Sequence, residues 1–173
     1  MTVSALVQPT AATCRPAVVA VAGPSQCGKT TLICRLLPAL QALGYRVGVI
    51  KHSHKTINPD PPGKDTWRFR QAGAAAVALT APGLVQLTRA DEAELPVEQV
   101  LALMAPELDL VLVEGYKRSH LPKLVFLTAG GESPDPVPEP PILAYLTLTP
   151  QALPVPAFQR DQVQEIARFL RRW

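Results

Sequence analysis

The chain has 173 residues, of which 47% are hydrophobic and 18% are charged. Because domains usually contain about 100–200 residues, this length favours one folded domain, and the composition argues against disorder and against a coiled coil. Seventeen basic and fourteen acidic residues give a formal charge of +3, which is too small and too scattered to predict nucleic-acid binding. No apolar run approaches the roughly 18 residues of a membrane span, so we expect no membrane contact.

The cysteines and the first residues indicate the compartment. Cys14, Cys27 and Cys34 form neither an even set nor a C-x-x-C pair, which predicts free thiols in a reducing cytoplasm. The first fourteen residues contain no Lys or Arg, which argues against a secretory signal. We therefore expect a cytoplasmic protein with a flexible leader over residues 1–16 and a single α/β domain over residues 17–173.

The first predicted elements form a strand–helix–strand unit. Ala17–Ala22 (AVVAVA) is a continuous apolar, β-branched run, as expected for a strand buried on both faces. Apolar residues then recur at three- and four-residue spacing from Leu32 to Leu43, which predicts a helix that Pro38 kinks or ends. A second strand is predicted over Arg46–Lys51, so the connection should be right-handed and the strands parallel.

The later segments continue the alternation of strands and helices. Leu108–Gly115 (LDLVLVEG) is unbroken and apolar, and it is predicted to lie centrally in a mostly parallel sheet flanked by helices. The other predicted elements are, in chain order, a loop over 55–63, a short helix over 64–72, two strands (AAVALT and LVQLT) joined by a turn at 81–83, a helix opened by Pro96, two strands (KLVFLT and ILAYLTL) and a last helix from about Asp161.

A phosphate-binding motif lies between the first strand and the first helix. Glycines at both ends of such a loop let the backbone wrap closely around a phosphate, and successive N–H groups with the helix N-terminus attract an anion. The lysine of the motif can reach the β- and γ-phosphates, and the hydroxyl that follows can bind Mg²⁺. The pattern therefore predicts a P-loop NTPase that binds a nucleoside triphosphate with Mg²⁺. The residues that match G-x-x-x-x-G-K-[ST] are Gly23, Pro24, Ser25, Gln26, Cys27, Gly28, Lys29 and Thr30.

Glu114 is the candidate acidic partner of this loop. It ends the strand LDLVLVEG, and ligands of open parallel sheets bind at the carboxyl ends of the strands. Asp109 begins the same strand and should face the opposite edge of the sheet. We therefore assign the Walker-B-like role to Glu114, whose extra methylene relative to Asp suggests that it binds Mg²⁺ through a water.

Further polar residues are predicted near the same edge, with alternatives open for each. Asp65 either caps the short helix or acts as a switch residue that contacts Mg²⁺ or orients water. His52 and His54 follow the second strand and bind either a ligand phosphate or a metal, or are exposed loop residues. A second anionic ligand is suggested by the positive charges of Lys51, Lys117 and Arg118.

Two aromatic residues of the short helix also leave a choice. Trp67 and Phe69 alternate with two arginines, which is compatible with a stacking surface, although we favour core anchors of the helix.

Five segments in this order resemble the molybdopterin-guanine dinucleotide biosynthesis accessory (MobB) family. They are GPSQCGKTTL, VIKHSHK, PGKDTWRFRQAGA, LVLVEGYK and PKLVF, and the similarity spans roughly Val18 to Phe126. The resemblance implies a GTP-binding protein with weak GTPase activity that forms homodimers. Its implied partners are molybdopterin and the molybdenum cofactor guanylyltransferase, which attaches GMP to molybdopterin.

The resemblance also implies roles for individual residues. Residues at the end of the P-loop and the start of its helix would hold the phosphates and Mg²⁺. Three further residues would line the site, and Lys117 would follow the Walker-B-like strand. In this reading Lys29, Asp65 and Glu114 are the catalytic candidates, and Thr30, Asp65 and Glu114 are the metal candidates. The loop-and-helix residues are Gly28, Lys29, Thr30 and Thr31, and the lining residues are His52, Asp65 and Glu114.

The chain departs from the family pattern at one position and lacks a familiar motif. Lys55 stands where the family often has a third histidine, which weakens a metal role for the histidines. The sequence contains no N-K-x-D segment, the usual reader of guanine, so the preference for GTP over ATP rests on the resemblance alone.

Three functions follow from these observations. The first is a slowly GTP-hydrolysing accessory factor in molybdenum cofactor biosynthesis. The second is a P-loop kinase of a small metabolite, whose acceptor the basic residues near the strand ends would hold. The third is a nucleotide-dependent adaptor whose hydrolysis is incidental.

Overall fold

A computed structural model of the chain describes residues 16–53, 55, 57–91, 93–104, 107–116, 119–134 and 138–172. These residues fold as two compact units, the first within Met1–His52 and Met104–Trp173 and the second within Ser53–Leu103. Of the predicted leader, residues 1–15 lie outside the described part. The single domain over residues 17–173 stays a prediction.

The described residues form eight strands and four helices, which agree closely with the predicted alternation. The short strand β8 is the addition that the sequence did not predict. In chain order they are β1 (Ala17–Ala22), α1 (Lys29–Ala42), β2 (Val47–Lys51), α2 (Asp65–Gln71), β3 (Ala76–Ala81), β4 (Leu84–Arg89), α3 (Val97–Ala102), β5 (Leu110–Glu114), β6 (Lys123–Phe126), β7 (Ile142–Thr147), β8 (Ala157–Gln159) and α4 (Val163–Leu170).

The first unit is built on a six-stranded sheet with the order β2-β5-β1-β6-β7-β8. Every neighbouring pair is parallel. All five residues of β5 and the last four of β1 are buried, as expected for central strands covered on both faces. The predicted central position of LDLVLVEG and the mostly parallel sheet are therefore confirmed.

Helix α1 continues through Pro38, where we expected a kink or an end. A proline removes one backbone donor, but Pro38 is exposed and the residues on either side of it are anchored in the core. Leu36, Ala39 and Leu40 are buried there. Burial of the apolar stripe outweighs the single lost hydrogen bond, and α4 packs against α1 with its own buried stripe.

The strand register brings three strand ends to the same level at one edge of the sheet. Glu114 of β5 pairs with Val21 of β1 on one side and with Lys51 of β2 on the other. The loop that follows β1 therefore starts beside Glu114 and Lys51. Asp109 lies at the opposite edge, as predicted, and its carboxylate accepts a hydrogen bond from the Arg46 N–H at 2.7 Å.

The second unit consists of α2, the antiparallel hairpin β3–β4 and α3. Its most buried polar group is Asp60, whose carboxylate accepts hydrogen bonds from Arg70 at 2.8 Å and from Thr66 at 3.2 Å. Helix α2 buries no residue completely, and Phe69 is 57% exposed. The interpretation of Phe69 as a core anchor is therefore wrong. Arginines flank Phe69 on both sides, and the short helix has no continuous apolar face that could pack on a core.

Among the described residues, no helix is both long enough and apolar enough to cross a membrane.

Candidate nucleotide-binding site

The loop between β1 and α1 adopts a conformation that its glycines make possible. Gly23 has φ of 153° and Gly28 has φ of 100°, both in the range that side chains disfavour. A Cβ on Gly23 would lie 2.7 Å from Cβ of Phe126, so any larger residue would displace β6 or the loop. Gly28 is the N-cap of α1, and the loop therefore delivers its backbone directly to the helix N-terminus.

Lys29, the first residue of α1, folds back over this loop. Its ammonium donates hydrogen bonds to the carbonyl oxygens of Gly23 at 3.2 Å and Pro24 at 2.5 Å, and it lies 3.9 Å from Sγ of Cys27. Within the described part of the chain, no carboxylate lies within ion-pair distance of Lys29. Its positive charge is therefore held at the loop without a direct ion-pair partner, as suits an anion site.

Thr30 and Glu114 meet across the strand ends. The Thr30 hydroxyl donates a hydrogen bond to Oε2 of Glu114 at 2.8 Å, and the Lys51 ammonium donates to Oε1. The Glu114 side chain is only 8% exposed. Burial alone would raise the pKa of Glu114, but the hydrogen bonds from Lys51 and Thr30, with the charges of Lys51 and Lys29, outweigh it and lower that pKa. Glu114 is therefore ionised at neutral pH.

The donor atoms at this point suit Mg²⁺. The Thr30 hydroxyl and the Glu114 carboxylate are oxygen donors, which Mg²⁺ prefers, and they lie within one hydrogen bond of each other. The described residues contain no group of three or more His, Cys, Asp or Glu that could hold a metal by themselves. Mg²⁺ usually keeps several waters and takes its remaining ligands from substrate phosphates, so two protein oxygens beside a phosphate loop fit it.

His52 lies on the same edge of the sheet, next to Glu114. Its backbone N–H donates to the Glu114 carbonyl at 2.9 Å, and its ring centroid lies 4.2 Å from that of Tyr116. Gly115 has φ of 107°, and a Cβ there would approach Cβ of His52 to 3.1 Å. The glycine after Glu114 therefore lets the chain pass closely over His52, which fixes the histidine beside the acidic strand end.

Asp65 belongs to the second unit. It is the first residue of α2, its side chain is 85% exposed, and its nearest charged partner is Arg68 at 3.9 Å. The N-cap is Lys64, with no side-chain capping bond, so Asp65 is not the cap but a carboxylate of the first helical turn. Its role as a switch residue stays a prediction. His54, Lys117 and Arg118 lie outside the described residues.

The sequence did not reveal two lysine contacts of the first unit. Lys51 was interpreted as part of a rim for a second anion, whereas the structure pairs it with Glu114. Lys123 is fully buried in β6 and donates to the carbonyls of Ser119 and Leu121, so it fixes the segment between β5 and β6. Burial lowers the pKa of Lys123, although the charge of Glu139 opposes this. The signal in the sequence for the buried lysine was Lys123 itself, a charged residue at the start of the apolar run KLVF.

The parallel sheet, the glycine-rich loop between β1 and α1 and the acidic end of the adjacent strand β5 define a P-loop NTPase fold. Residues 18–147 match the family model "MobB: Molybdopterin guanine dinucleotide synthesis protein B". The chain belongs to this family, which confirms the resemblance seen in the sequence.

Relatives and solved structures agree with this assignment. The chain is 37% identical over 151 residues to the molybdopterin-guanine dinucleotide biosynthesis adapter protein of Escherichia coli, covering 84% of the chain and 86% of the relative. It is 34% identical to the adapter protein of Haemophilus influenzae, covering 88% and 86%. A crystal structure of a MobB homologue from Bacillus stearothermophilus superposes with a TM-score of 0.63 at 30% identity, covering 90% of this chain and 95% of that one.

Proposed function

We propose that this chain is a GTP-binding adapter protein of molybdopterin guanine dinucleotide biosynthesis that hydrolyses GTP slowly. The observation that carries the proposal is the contact between the Thr30 hydroxyl and the buried, ionised Glu114, beside a glycine loop whose Lys29 has no direct ion-pair partner among the described residues. Membership of the MobB family and the names of the curated relatives support the pathway.

The residues of the site would act by positioning and by electrostatics. The loop amides between Gly23 and Gly28 and the N-terminus of α1 would hold the phosphates, and the Lys29 ammonium would offset negative charge that develops on the γ-phosphoryl oxygens. Glu114 would orient the attacking water through its carboxylate. Arg160 is the described arginine that contacts this loop, and backbone carbonyls hold its guanidinium, so we assign no arginine finger and expect slow turnover.

Thr30 and Glu114 would hold Mg²⁺, the first directly and the second through a water. Bound there with the nucleotide, the ion would neutralise charge shared between the β- and γ-phosphates. Lys51 keeps the Glu114 carboxylate in place and ionised, so its contribution is to orient this residue rather than to contact the nucleotide.

The partners implied by the family are molybdopterin, the molybdenum cofactor guanylyltransferase and a second copy of this chain, in the cytoplasm. A homodimer is supported by the second unit, which carries seven of the nine exposed large hydrophobic residues recorded for the described part of the chain. Val85, which is 73% exposed, is the most exposed of them. This concentration of exposed apolar side chains in one unit favours an interaction surface there.

Sedimentation velocity tests the homodimer. We expect Val85→Asp to shift the protein from dimer to monomer, because a charge would be buried at the interface. Leu148→Asp is the matched control, since Leu148 is an exposed hydrophobic residue of the first unit. Two monomeric or two dimeric variants would contradict the assignment of this surface.

Calorimetric titration with GTP and with ATP in the presence of Mg²⁺ tests the nucleotide proposal, followed by an assay of phosphate release. We expect GTP to bind and phosphate to be released to water slowly. The absence of heat with every nucleoside triphosphate, or turnover at the rate of a fast enzyme, would overturn it. Transfer of phosphate to an added metabolite would instead support the kinase alternative. In the structure Lys51, one of the basic residues expected to hold the acceptor, is paired with Glu114.

A further inference from the structure

A second concave site adjoins the P-loop in the first unit. It is a cavity of about 200 Å³ between the start of α1 and the β8–α4 connection. Its lining includes Gly28 and Thr31 from the loop and helix, and Arg160 and Asp161 from the connection. Pockets for whole ligands usually occupy about 300–1,000 Å³, so this cavity fits part of a ligand whose other part lies on the loop.

Arg160 is held firmly at the wall of this cavity. Its guanidinium donates to the Leu127 carbonyl at 2.6 Å and to the Cys27 carbonyl at 3.5 Å, and Cζ lies 5.0 Å from the centre of the Phe126 ring. Its Nε is buried and has no hydrogen-bond partner in the described part of the chain. A planar guanidinium fixed in this way offers a flat surface on which an aromatic base stacks.

Asp161 brings an acceptor to the same cavity. Its backbone carbonyl accepts from Arg35 at 3.5 Å, whereas its side chain is exposed, and no described residue donates a hydrogen bond or forms an ion pair to its carboxylate. A carboxylate has two acceptor oxygens and no donor. It therefore selects a ligand edge that presents two adjacent donors.

Guanine has such an edge and adenine does not. Guanine presents N1–H and the 2-amino group side by side, and both are donors. At the corresponding atoms adenine presents the N1 acceptor, which a carboxylate oxygen repels, and C2–H, which is not a hydrogen-bond donor of comparable strength. A site that pairs with one pattern disfavours a ligand that lacks it, because hydrogen bonds are lost and two acceptors are brought together.

We propose that this cavity is the base subsite of the nucleotide, with Arg160 stacked on the purine and the Asp161 carboxylate accepting hydrogen bonds from N1–H and the 2-amino group of guanine. The inference rests on the proposed function and supplies what the sequence lacked, a reader of guanine in a chain without N-K-x-D. The subsite lies next to Thr31, at the start of the helix that receives the phosphates.

The Asp161→Asn variant tests this assignment by changing the pattern that the site reads. The amide presents one acceptor and one donor, which matches xanthine, whose edge carries N1–H beside the C2 carbonyl. We expect titration with Mg²⁺ to show GTP binding at least about tenfold weaker and binding of xanthosine triphosphate at least about tenfold tighter. Binding of ATP should not weaken, because its N1 acceptor can face the amide donor, and binding of inorganic triphosphate should stay unchanged, which also shows that the variant is folded.

Glu165→Gln is the matched control, because Glu165 is an exposed acid of α4 that does not line this cavity. It should leave all four affinities as in the unmodified chain. If the unmodified chain binds GTP but Asp161→Asn keeps the same preference among the four compounds, the base subsite is wrong and the nucleotide proposal stands. If the unmodified chain binds none of the four, the proposed function fails and the subsite fails with it.

Discussion

The two units are stabilised in different ways. The first unit has a continuous apolar core made by the central strands and by the facing stripes of α1 and α4. In the second unit, Val77 and Val97 are the only buried hydrophobic residues among those described, and the best-buried polar group is Asp60 with its hydrogen-bond donors. The first unit therefore depends on hydrophobic burial and the second on a small polar cluster.

This difference matches what each unit would have to do. A phosphate site needs backbone amides and charged groups held within fractions of an ångström, and the buried ends of β1 and β5 provide that support. The hairpin β3–β4 instead leaves apolar side chains such as Val85 and Leu87 exposed, which suits a surface completed by another chain. Lys29→Ala, Asp60→Ala and Glu114→Gln each test one unit, and each has a matched change at a second position of the chain.

Lys29→Ala should produce the largest effect, and it should act on nucleotide binding. In the proposed complex the ammonium would make charge-assisted contacts to phosphate that no other described residue of the loop would supply. We expect GTP to bind about 100-fold more weakly, or about 2.7 kcal/mol, in a calorimetric titration with Mg²⁺. Lys64→Ala, which removes an exposed lysine at the N-cap of α2, is the control and should change nothing. Equal losses in both variants would show that binding depends on net charge rather than on the loop.

Asp60→Ala should destabilise the second unit selectively. The change leaves Arg70, whose side chain is 25% exposed, without its main partner and removes an acceptor of Thr66. We expect a loss of about 2 kcal/mol, measured as faster hydrogen exchange of the β3 and α2 amides. Exchange in β1 and β5 should not change.

The control for this variant is Asp91→Ala. Asp91 forms an ion pair with Arg89 at 3.0 Å, but both side chains are about one third exposed, at 31% and 39%, so we expect an effect below about 0.5 kcal/mol. Slow exchange of the β3 amides in Asp60→Ala would mean that the hairpin is held by apolar contacts after all.

Glu114→Gln should slow hydrolysis while GTP still binds. The amide keeps the shape of the side chain but loses the charge that, in the proposed mechanism, would orient water and attract Mg²⁺. We expect phosphate release at least about tenfold slower, equivalent to about 1.4 kcal/mol in the barrier. Asp65→Asn is the matched change in the second unit. If Asp65→Asn slows release and Glu114→Gln does not, the metal or water role belongs to Asp65.

The predictable part of this fold is the part that local patterns determine. Each buried strand appears in the sequence as an apolar run bounded by glycine or proline, and the P-loop appears as a complete motif between a strand and a helix. The assignment of Glu114 to the ligand edge needed only the rule for parallel sheets. These features depend on residues that are close together in the chain.

The features that were missed depend on contacts between distant segments. The pairing of Lys51 with Glu114 follows from β2 lying beside β5, and strand order is not written in any local pattern. Arg160 and Asp161 follow β8, the last strand of the sheet, and line the same cavity as the P-loop residues Cys27 and Gly28. Because β8 has only three residues, it gives almost no periodic signal in the sequence. Phe69 was predicted to anchor a core because an aromatic residue in a short helix usually packs against other apolar side chains.

Lys51→Met offers the smallest effect and separates charge from packing at the strand ends. The lysine contributes to the lowered pKa of Glu114, so the variant should lose stability. Lys51 is 58% exposed, and solvent screening limits the loss to about 1 kcal/mol at pH 7. Thermal denaturation followed by circular dichroism measures it, and Lys51→Arg, which keeps the charge, should retain most of the stability.

The pH dependence of this loss has a definite sign. Because the pKa of Glu114 in the folded chain lies below its ordinary value of 4.5, the ionised form stabilises the fold above pH 4.5. That contribution disappears as the pH falls from 4.5 through the lower folded value, since the carboxyl then binds a proton in both states. The difference between the unmodified chain and Lys51→Met should therefore shrink in this acidic range. A difference that stays constant with pH would mean that the lysine stabilises through its aliphatic stem, and the buried strand end would then depend on packing alone.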